Sequence, residues 1–155
     1  MSKFPIEEHS ITTVQELPHI EATVLIKTIP TKMVFMHAST PMNSDRHNKR
    51  NEQILTVQKM TEKPQFVIGD FNSVPWDDYI TALKTELRIA DSRSNYQATY
   101  PSHLPFKIPI DYIFHGEEWE CISFEVMHRM TSDHLGIRGT YKISKANLAK
   151  EGVRR

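Results

Sequence analysis

The sequence predicts a layered α/β (α+β) protein, in which helices pack on one face of a mixed, largely antiparallel sheet. Two observations predict this fold class. Segments with strand patterns lie near both ends of the chain, and two segments with helical spacing lie among them. The element order is β-β-α-β-α-β-β-β, which indicates a mixed sheet. A length of 155 residues fits a single domain, 1–155, that can bury a core.

The first two predicted strands form a hairpin. From Ile20 to Ile26 apolar residues alternate with polar ones, as in a half-buried strand. Met33–Met36 is a continuous apolar run of strand length, and the turn at Pro30 is short, so the two strands are expected to pair antiparallel. The first 15 residues show no clear periodicity, and no element is predicted there.

Two helices and four further strands follow. Asn43 or Ser44 can cap a helix that runs to about Met60. Ser73 and Pro75 predict the start of a second helix. Its apolar face is expected to carry Trp76, Ile80, Leu83 and Leu87. The strands are Gln65–Ile68, Ile110–Phe114, Ile122–Val126 and Leu135–Tyr141, and the proline-rich stretch 91–109 is a long loop of the kind that is often functional. Trp76 and Trp119 are expected in the core.

Composition excludes several classes of function. Lys+Arg and Asp+Glu both number 19, so the net charge is zero, which argues against a strongly basic nucleic-acid-binding domain. With 5 glycines and no glycine-rich loop, the chain has no phosphate cradle of the Walker or dinucleotide type. Cys121 is the single cysteine, which excludes an internal disulfide and an all-cysteine metal site. We expect it to be buried.

No apolar run is long enough to span a bilayer, and no charged-then-apolar leader follows Met1. We therefore expect a soluble protein, cytoplasmic by default. Basic residues gather at the end of the chain, so 144–155 is expected to form a solvated basic tail.

Polar side chains interrupt the strands in a pattern that suggests one site. They stand at the end of a strand, inside one, or just before one: His37, Asp70, Asn72, Asp111, Asp133 and His134. If these positions converge on one sheet edge, they suit a divalent cation, a water nucleophile and a phosphate. Asp111 is the strongest indication of such a site, because a charge inside an apolar strand needs a partner such as an imidazole.

Three of the others have a structural alternative. Asp70 could begin an Asx turn, Asp133 could be a turn residue, and His37 could be a satisfied core histidine. Basic residues of the first helix could meet phosphates or form a solvated face: Arg46, Lys49 and Arg50. The remaining histidines are expected in solvent or loops: His9, His19, His47, His103, His115 and His128.

Four segments in order resemble the endonuclease/exonuclease/phosphatase (DNase I-like) superfamily. They are Val34-Phe35-Met36-His37-Ala38-Ser39-Thr40-Pro41, Ile68-Gly69-Asp70-Phe71-Asn72-Ser73-Val74-Pro75, Ile110-Asp111-Tyr112-Ile113-Phe114 and Thr131-Ser132-Asp133-His134-Leu135. The resemblance implies that His134 is the general base on the attacking water and that Asp111 orients its ring. It also implies that Asp70 and Asn72 position the water and the phosphate, and that His37 contacts the phosphate or protonates the leaving group.

The resemblance further implies a metal, Mg²⁺ or Mn²⁺, held weakly by Asp70 and Asp133. The expected substrate is a phosphate ester, either nucleic acid or a phosphorylated small molecule or lipid. Nothing before His37 matches the family's principal metal-ligand glutamate, and the Gln15-Glu16 pair resembles it only superficially. The chain thus resembles the C-terminal half of the DNase I-like four-layer sandwich.

A missing half predicts an uncovered apolar sheet face, which a second copy could cover as a homodimer. The first reading of function is a metal-dependent phosphoesterase. The alternative is a catalytically inactive half-domain that acts as a dimerisation or binding module, because the glutamate is absent. A third reading is a fragment that regains activity when the missing half is supplied.

Overall fold

A computed structural model describes residues 2–60, 62–128 and 131–144. Its elements, in chain order, are β1 (Ile6–Val14), β2 (Leu17–Ile26), β3 (Ile29–His37), α1 (Ser44–Gln58), β4 (Phe66–Asp70), α2 (Asp78–Leu87), β5 (Ile89–Asp91), β6 (Asp111–Gly116), β7 (Trp119–Val126) and β8 (Ile137–Ile143). The predicted basic tail lies, from residue 145 onward, outside the described residues. Within the described part, no helix is long and apolar enough to cross a membrane.

Six strands form one sheet in the order β1-β2-β3-β4-β6-β5. Only the β3–β4 pair in this sheet is parallel, and the other neighbours are antiparallel. The predicted mixed, largely antiparallel sheet is therefore confirmed. The last two strands, β7 and β8, form a separate two-stranded sheet instead of extending the first one.

The main core lies between the six-stranded sheet and the two helices. Side chains of alternate strand positions, such as Val34, Val67 and Phe114, are fully buried there. They pack with the apolar faces of both helices, which include Ile54, Val57, Ile80 and Leu83. Both helices thus cover the same face of the sheet, as the sequence predicts.

The opposite face of the sheet is only partly covered. Phe66, Ile113 and Trp119 form a second cluster there, against which β7 and β8 pack. Further along this face Ile11 and Ile20 lie directly across from each other and remain 66% and 38% exposed. The sheet therefore carries apolar side chains on both faces, whereas the two helices of the described residues lie on only one.

Several details differ from the prediction. β1 has no detectable period in the sequence because nearly all its residues are exposed on both faces, and β5 is only three residues long. The second helix begins after its cap at Asp77, so Trp76 precedes it and is 66% exposed instead of buried. Trp119 is buried as expected, whereas Cys121 is only half-buried.

Two basic side chains are buried where solvent exposure was expected. His19 lies on the helix-covered face of β2 opposite Met36 and is 3% exposed. Burial lowers its pKa, because the charged imidazolium loses its hydration. Arg50 of α1 is also buried, and its contacts reach the candidate site described below.

Gly69 allows β4 to pass close to β3 just before Asp70. Its φ is +149°, and a Cβ there would lie 1.8 Å from the carbonyl oxygen of Met36. Gly69→Ala is therefore expected to lower the free energy of unfolding by about 3 kcal/mol or more, since backbone must move. Urea denaturation measures the loss. The matched control is Gly136→Ala, whose added Cβ would make only ordinary contacts with Met127; an equal loss in both variants would contradict the steric argument.

Candidate active site

Three polar side chains form a row across the edge of the sheet. His37 ends β3, Asp70 ends β4 and Asp111 begins β6, and the ladder pairs His37 with Asp70 and Asp70 with Asp111. Paired positions in neighbouring strands share one face of a sheet. All three side chains therefore lie on the face opposite the helices, with Asp70 in the middle.

His134 completes the row from a different part of the chain. Its Nδ1 lies 2.8 Å from Oδ2 of Asp111, so the buried carboxylate has the imidazole partner that its position in an apolar strand requires. Contacts with the 91–109 loop hold this segment: the Ser102 N–H donates to the Asp133 carbonyl (2.6 Å) and the Leu135 N–H to that of Thr99 (2.9 Å). The Tyr100 ring lies 4.7 Å from the His134 ring, centroid to centroid.

Asp70 and Asn72 form a tight turn directly after β4. The Asn72 N–H donates to Oδ1 of Asp70 at 2.7 Å, and its side-chain amide donates to the Ala38 carbonyl at 2.8 Å. Asn72 has a φ of +46°, a left-handed conformation that asparagine tolerates. The Asx turn weighed from the sequence does form, and the same turn fixes the Asp70 carboxylate at the site.

Arg50 stabilises the Asp70–Asn72 turn through hydrogen bonds. Its guanidinium donates to the Asn72 carbonyl (3.2 Å), to Oδ2 of Asp77 (3.1 Å) and to Oδ1 of Asn51 (2.9 Å). Oδ1 of Asp77 in turn caps α2 by accepting from the Tyr79 N–H. One buried cation thus ties α1, the start of α2 and the Asp70–Asn72 turn together, and the reading of Arg50 as part of a solvated helix face is wrong.

The environment raises the pKa values of two groups at this site, for different reasons. Burial raises the pKa of Asp70; the Asn72 N–H opposes this effect, and the nearby Asp111 charge adds to it. Burial alone would lower the pKa of His134, but its hydrogen bond to Asp111 and the charges of Asp111, Asp70 and Asp133 outweigh burial and raise that pKa. Both shifts favour the protonated form of the group.

His37 lies on the other side of Asp70 from His134. Its Nε2 is 3.6 Å from Oδ2 of Asp70, while Nε2 of His134 is 3.8 Å from the same oxygen. The His37 side chain is 62% exposed, so the alternative of a core histidine is wrong. The two imidazoles face one cavity of about 420 Å³, which Asp133 and Tyr100 also line.

The two facing carboxylates form a donor set that fits a divalent cation. Asp70 and Asp111 are each only 15% exposed, and in the part of the chain that the structure describes neither pairs with a lysine or arginine. Ligand atoms of Asp70, Asp111 and His134 lie within 4.8 Å of one another. Carboxylate oxygens are the ligands that Mg²⁺ and Mn²⁺ prefer.

The structure brings all six predicted polar residues to this cavity, including the exposed Asp133. Sequence reasoning missed Thr40 and Tyr100, which line it as well. Tyr100 lies in the loop that was expected to be functional, but no pattern distinguishes it from other loop residues. Thr40 lies three residues beyond His37 and could have been proposed from that proximity.

Comparisons with known proteins agree with this arrangement. The family model described as Endonuclease/Exonuclease/phosphatase family matches residues 1–134. A search of curated proteins finds no match. Many solved structures are similar to this chain, and three of them are described next.

An endonuclease/exonuclease/phosphatase from Beutenbergia cavernae superposes with a TM-score of 0.70 and 20% identity over 93% of this chain and 47% of its own. The mannosyl-6-phosphatase Bt3783 of Bacteroides thetaiotaomicron superposes with a TM-score of 0.73 and 16% identity, over 91% of this chain and 68% of its own. The human Nocturnin catalytic domain with bound sulfate superposes with a TM-score of 0.68 and 15% identity, over 91% of this chain and 60% of its own. The chain thus spans about half of the first structure and 60–68% of the other two.

Proposed function

The chain belongs to the endonuclease/exonuclease/phosphatase family, and from this premise we propose that its site is that of a metal-dependent phosphoesterase. The family comprises hydrolases of phosphate esters, nucleases and phosphatases among them. The observation that carries the proposal is the pair of His134 and Asp111, joined at 2.8 Å beside the half-buried carboxylate of Asp70. The solved neighbours, which include a phosphatase, support the same reaction class.

In the proposed reaction His134 is the general base. Asp111 accepts from Nδ1–H, which leaves the Nε2 lone pair free to take a proton from the attacking water. The bond from water oxygen to phosphorus forms while the bond to the ester oxygen breaks, with those two oxygens roughly in line. His37 lies across Asp70 from His134, so it contacts the phosphate or delivers a proton to the departing ester oxygen.

Asp70 and Asn72 position the water and the phosphate between the two imidazoles. Asp70, with Asp111 beside it and the exposed Asp133 on the same cavity, would hold Mg²⁺ or Mn²⁺. When bound, the ion supplies positive charge that stabilises the negative charge developing on the phosphate oxygens. The Asn72 N–H fixes Oδ1 of Asp70. Oδ2, which accepts from the Asn72 side-chain amide at 3.2 Å, lies within 4 Å of Nε2 of both histidines.

Metal removal tests this function directly. With millimolar Mg²⁺ or Mn²⁺ the protein is expected to hydrolyse bis(p-nitrophenyl) phosphate. Excess EDTA is expected to abolish turnover, because the negative charge that develops on the phosphate oxygens then loses its stabilising cation. Release of p-nitrophenol measures the rate, and restored turnover after metal is added back is the control. Absence of turnover of both this diester and p-nitrophenyl phosphate in a folded protein would contradict the proposal.

The uncovered sheet face favours a second candidate, a half-domain that dimerises or binds a partner without catalysis. Ile11 and Ile20 are exposed on this face, and Phe35 beside them is only half-buried. We propose that two copies pack these faces together about a two-fold axis, since each buried apolar side chain adds roughly 1.5–3 kcal/mol.

Sedimentation velocity at tens of micromolar is expected to show a dimer. Ile20→Lys should dissociate it, because a charge would be buried in the interface, whereas Ile122→Lys on the separate β7–β8 sheet should not. A monomer at that concentration would exclude the dimer. A dimer without phosphoesterase activity would favour the binding module.

A further inference from the structure

A second cavity of about 440 Å³ adjoins the catalytic one on the side of His37. His37 and Thr40 line both cavities, so they form the boundary between them. The other walls are the β1–β2 turn at Gln15 and Glu16, the segment after β3, and the first turns of α1. The volume lies within the roughly 300–1,000 Å³ typical of small-molecule sites.

A fully buried side chain fixes two of these walls. The amide of Gln53, on α1, donates to the carbonyls of Val14 and Gln15 at 3.1 Å each, and its oxygen accepts from the Ser39 N–H at 2.8 Å. Gln15 and Glu16 both have positive φ, as a two-residue type I′ hairpin turn requires. The turn is therefore held in place against the segment after β3.

The charges in this cavity balance. Glu16 and Asp45 face Arg46 and Lys49, and the Lys49 ammonium lies 3.2 Å from Glu16 and 3.5 Å from Asp45. A second phosphate placed here would meet two carboxylates, which would repel it. A neutral group with several hydroxyls fits better, because carboxylates accept from hydroxyl protons while Arg46, Lys49 and the Thr40 hydroxyl donate to hydroxyl oxygens.

The position of the cavity indicates which part of a substrate would occupy it. The sheet order places Asp70 between His37 and Asp111, and His134, which activates water, is bonded to Asp111. In-line displacement expels the leaving group on the side away from the attacking water. The leaving group therefore departs past His37, toward this second cavity.

From this geometry we propose that the cavity lined by Glu16, Asp45, Arg46 and Lys49 binds a neutral polyhydroxylated leaving group, so that the substrate is a sugar or cyclitol phosphate monoester. This inference rests on the proposed phosphoesterase function. The products are the free polyol, whose ester oxygen gains a proton, and inorganic phosphate, which gains the water oxygen.

A binding experiment without turnover tests whether the leaving group binds in this second cavity. In EDTA, glucose 6-phosphate and myo-inositol 1-phosphate, as the sugar and cyclitol probes, are expected to shift backbone amide resonances of His37, Ser39 and Thr40 in two-dimensional NMR. Phenyl phosphate should shift His37 but not Ser39. Shifts confined to Met127 and Ile137, which line an apolar cavity on the opposite side, would overturn the proposal, as would the absence of shifts at Ser39.

A kinetic comparison separates this inference from the function it rests on. The measured quantity is kcat/KM for glucose 6-phosphate divided by kcat/KM for p-nitrophenyl phosphate. Asp45→Asn is expected to lower this ratio about tenfold, as expected for losing a charged hydrogen bond. Glu117→Gln, in the exposed β6–β7 turn, is the matched control and should leave it unchanged.

The outcomes remain distinguishable. Turnover of p-nitrophenyl phosphate with an unchanged ratio in Asp45→Asn would overturn the assigned cavity and leave the phosphoesterase standing. A wild-type preference for fructose 1,6-bisphosphate or for a dinucleotide over both monophosphates would overturn the neutral leaving group. No turnover of any ester would contradict the function itself, and the NMR shifts would then decide on binding alone.

Discussion

Replacing His134 with alanine is expected to lower kcat/KM for bis(p-nitrophenyl) phosphate by about 10²–10⁴-fold, the usual contribution of a positioned general base. The fold should persist, because the side chain is 25% exposed and, among the described residues, hydrogen-bonds only to Asp111. Initial rates with Mg²⁺ measure the loss. The matched control is His9→Ala on the exposed edge strand β1, which should retain full activity.

The pH profile of the same reaction tests the role of Asp111. The base must be neutral, and its pKa is raised above the ordinary 6.5, so activity should rise with pH along a limb centred above pH 6.5. Asp111→Asn removes the carboxylate charge that favours the imidazolium, and the limb should move to lower pH. Equal activity in His134→Ala and wild type, or an unmoved limb in Asp111→Asn, would contradict the assigned base.

The candidate site could be predicted from the sequence because its members stand in local patterns. Asp70 is the last of the five residues of β4, and Asp111 is the first residue of β6. Each is a charged residue at the end of an otherwise largely apolar strand, which marks it in the sequence. The parallel β3–β4 register that brings His37 beside Asp70 follows once a helix separates those two strands. The local sequence pattern and the rules of sheet geometry therefore predict that His37, Asp70 and Asp111 lie close together.

What the sequence could not predict depends on contacts between distant segments. Strand β1 is held by its pairing with β2 and buries too little to leave a period of two in the sequence. Arg50 stands among polar neighbours, and His19 comes just before the alternating pattern that begins at Ile20. The burial of both side chains therefore becomes visible only when other elements cover them. The partners of Arg50 lie 22 and 27 residues further along the chain, in a turn whose orientation no local pattern specifies.

Arg50 therefore provides the second large expected effect, this time on stability. Arg50→Leu leaves three acceptors without their donor: the Asn72 carbonyl, Oδ2 of Asp77 and Oδ1 of Asn51. Removing one partner of a buried ion pair costs about 3–5 kcal/mol, and we expect the free energy of unfolding to fall by about that amount. Urea denaturation measures it, and Arg46→Leu, one turn earlier on the exposed face of α1, should change it by less than about 0.5 kcal/mol.

The same variant series separates a positioning role from stability alone. Arg50→Lys keeps a cation for Asp77 but lacks the planar fork that also reaches Asn72 and Asn51, so it should recover part of the stability. Because the Asn72 carbonyl loses its donor in both variants, the Asp70 carboxylate is less well fixed. We therefore expect kcat to fall about tenfold in Arg50→Lys under conditions where it is fully folded, with KM little changed. A wild-type kcat in folded Arg50→Lys would show that Arg50 stabilises the fold without positioning Asp70.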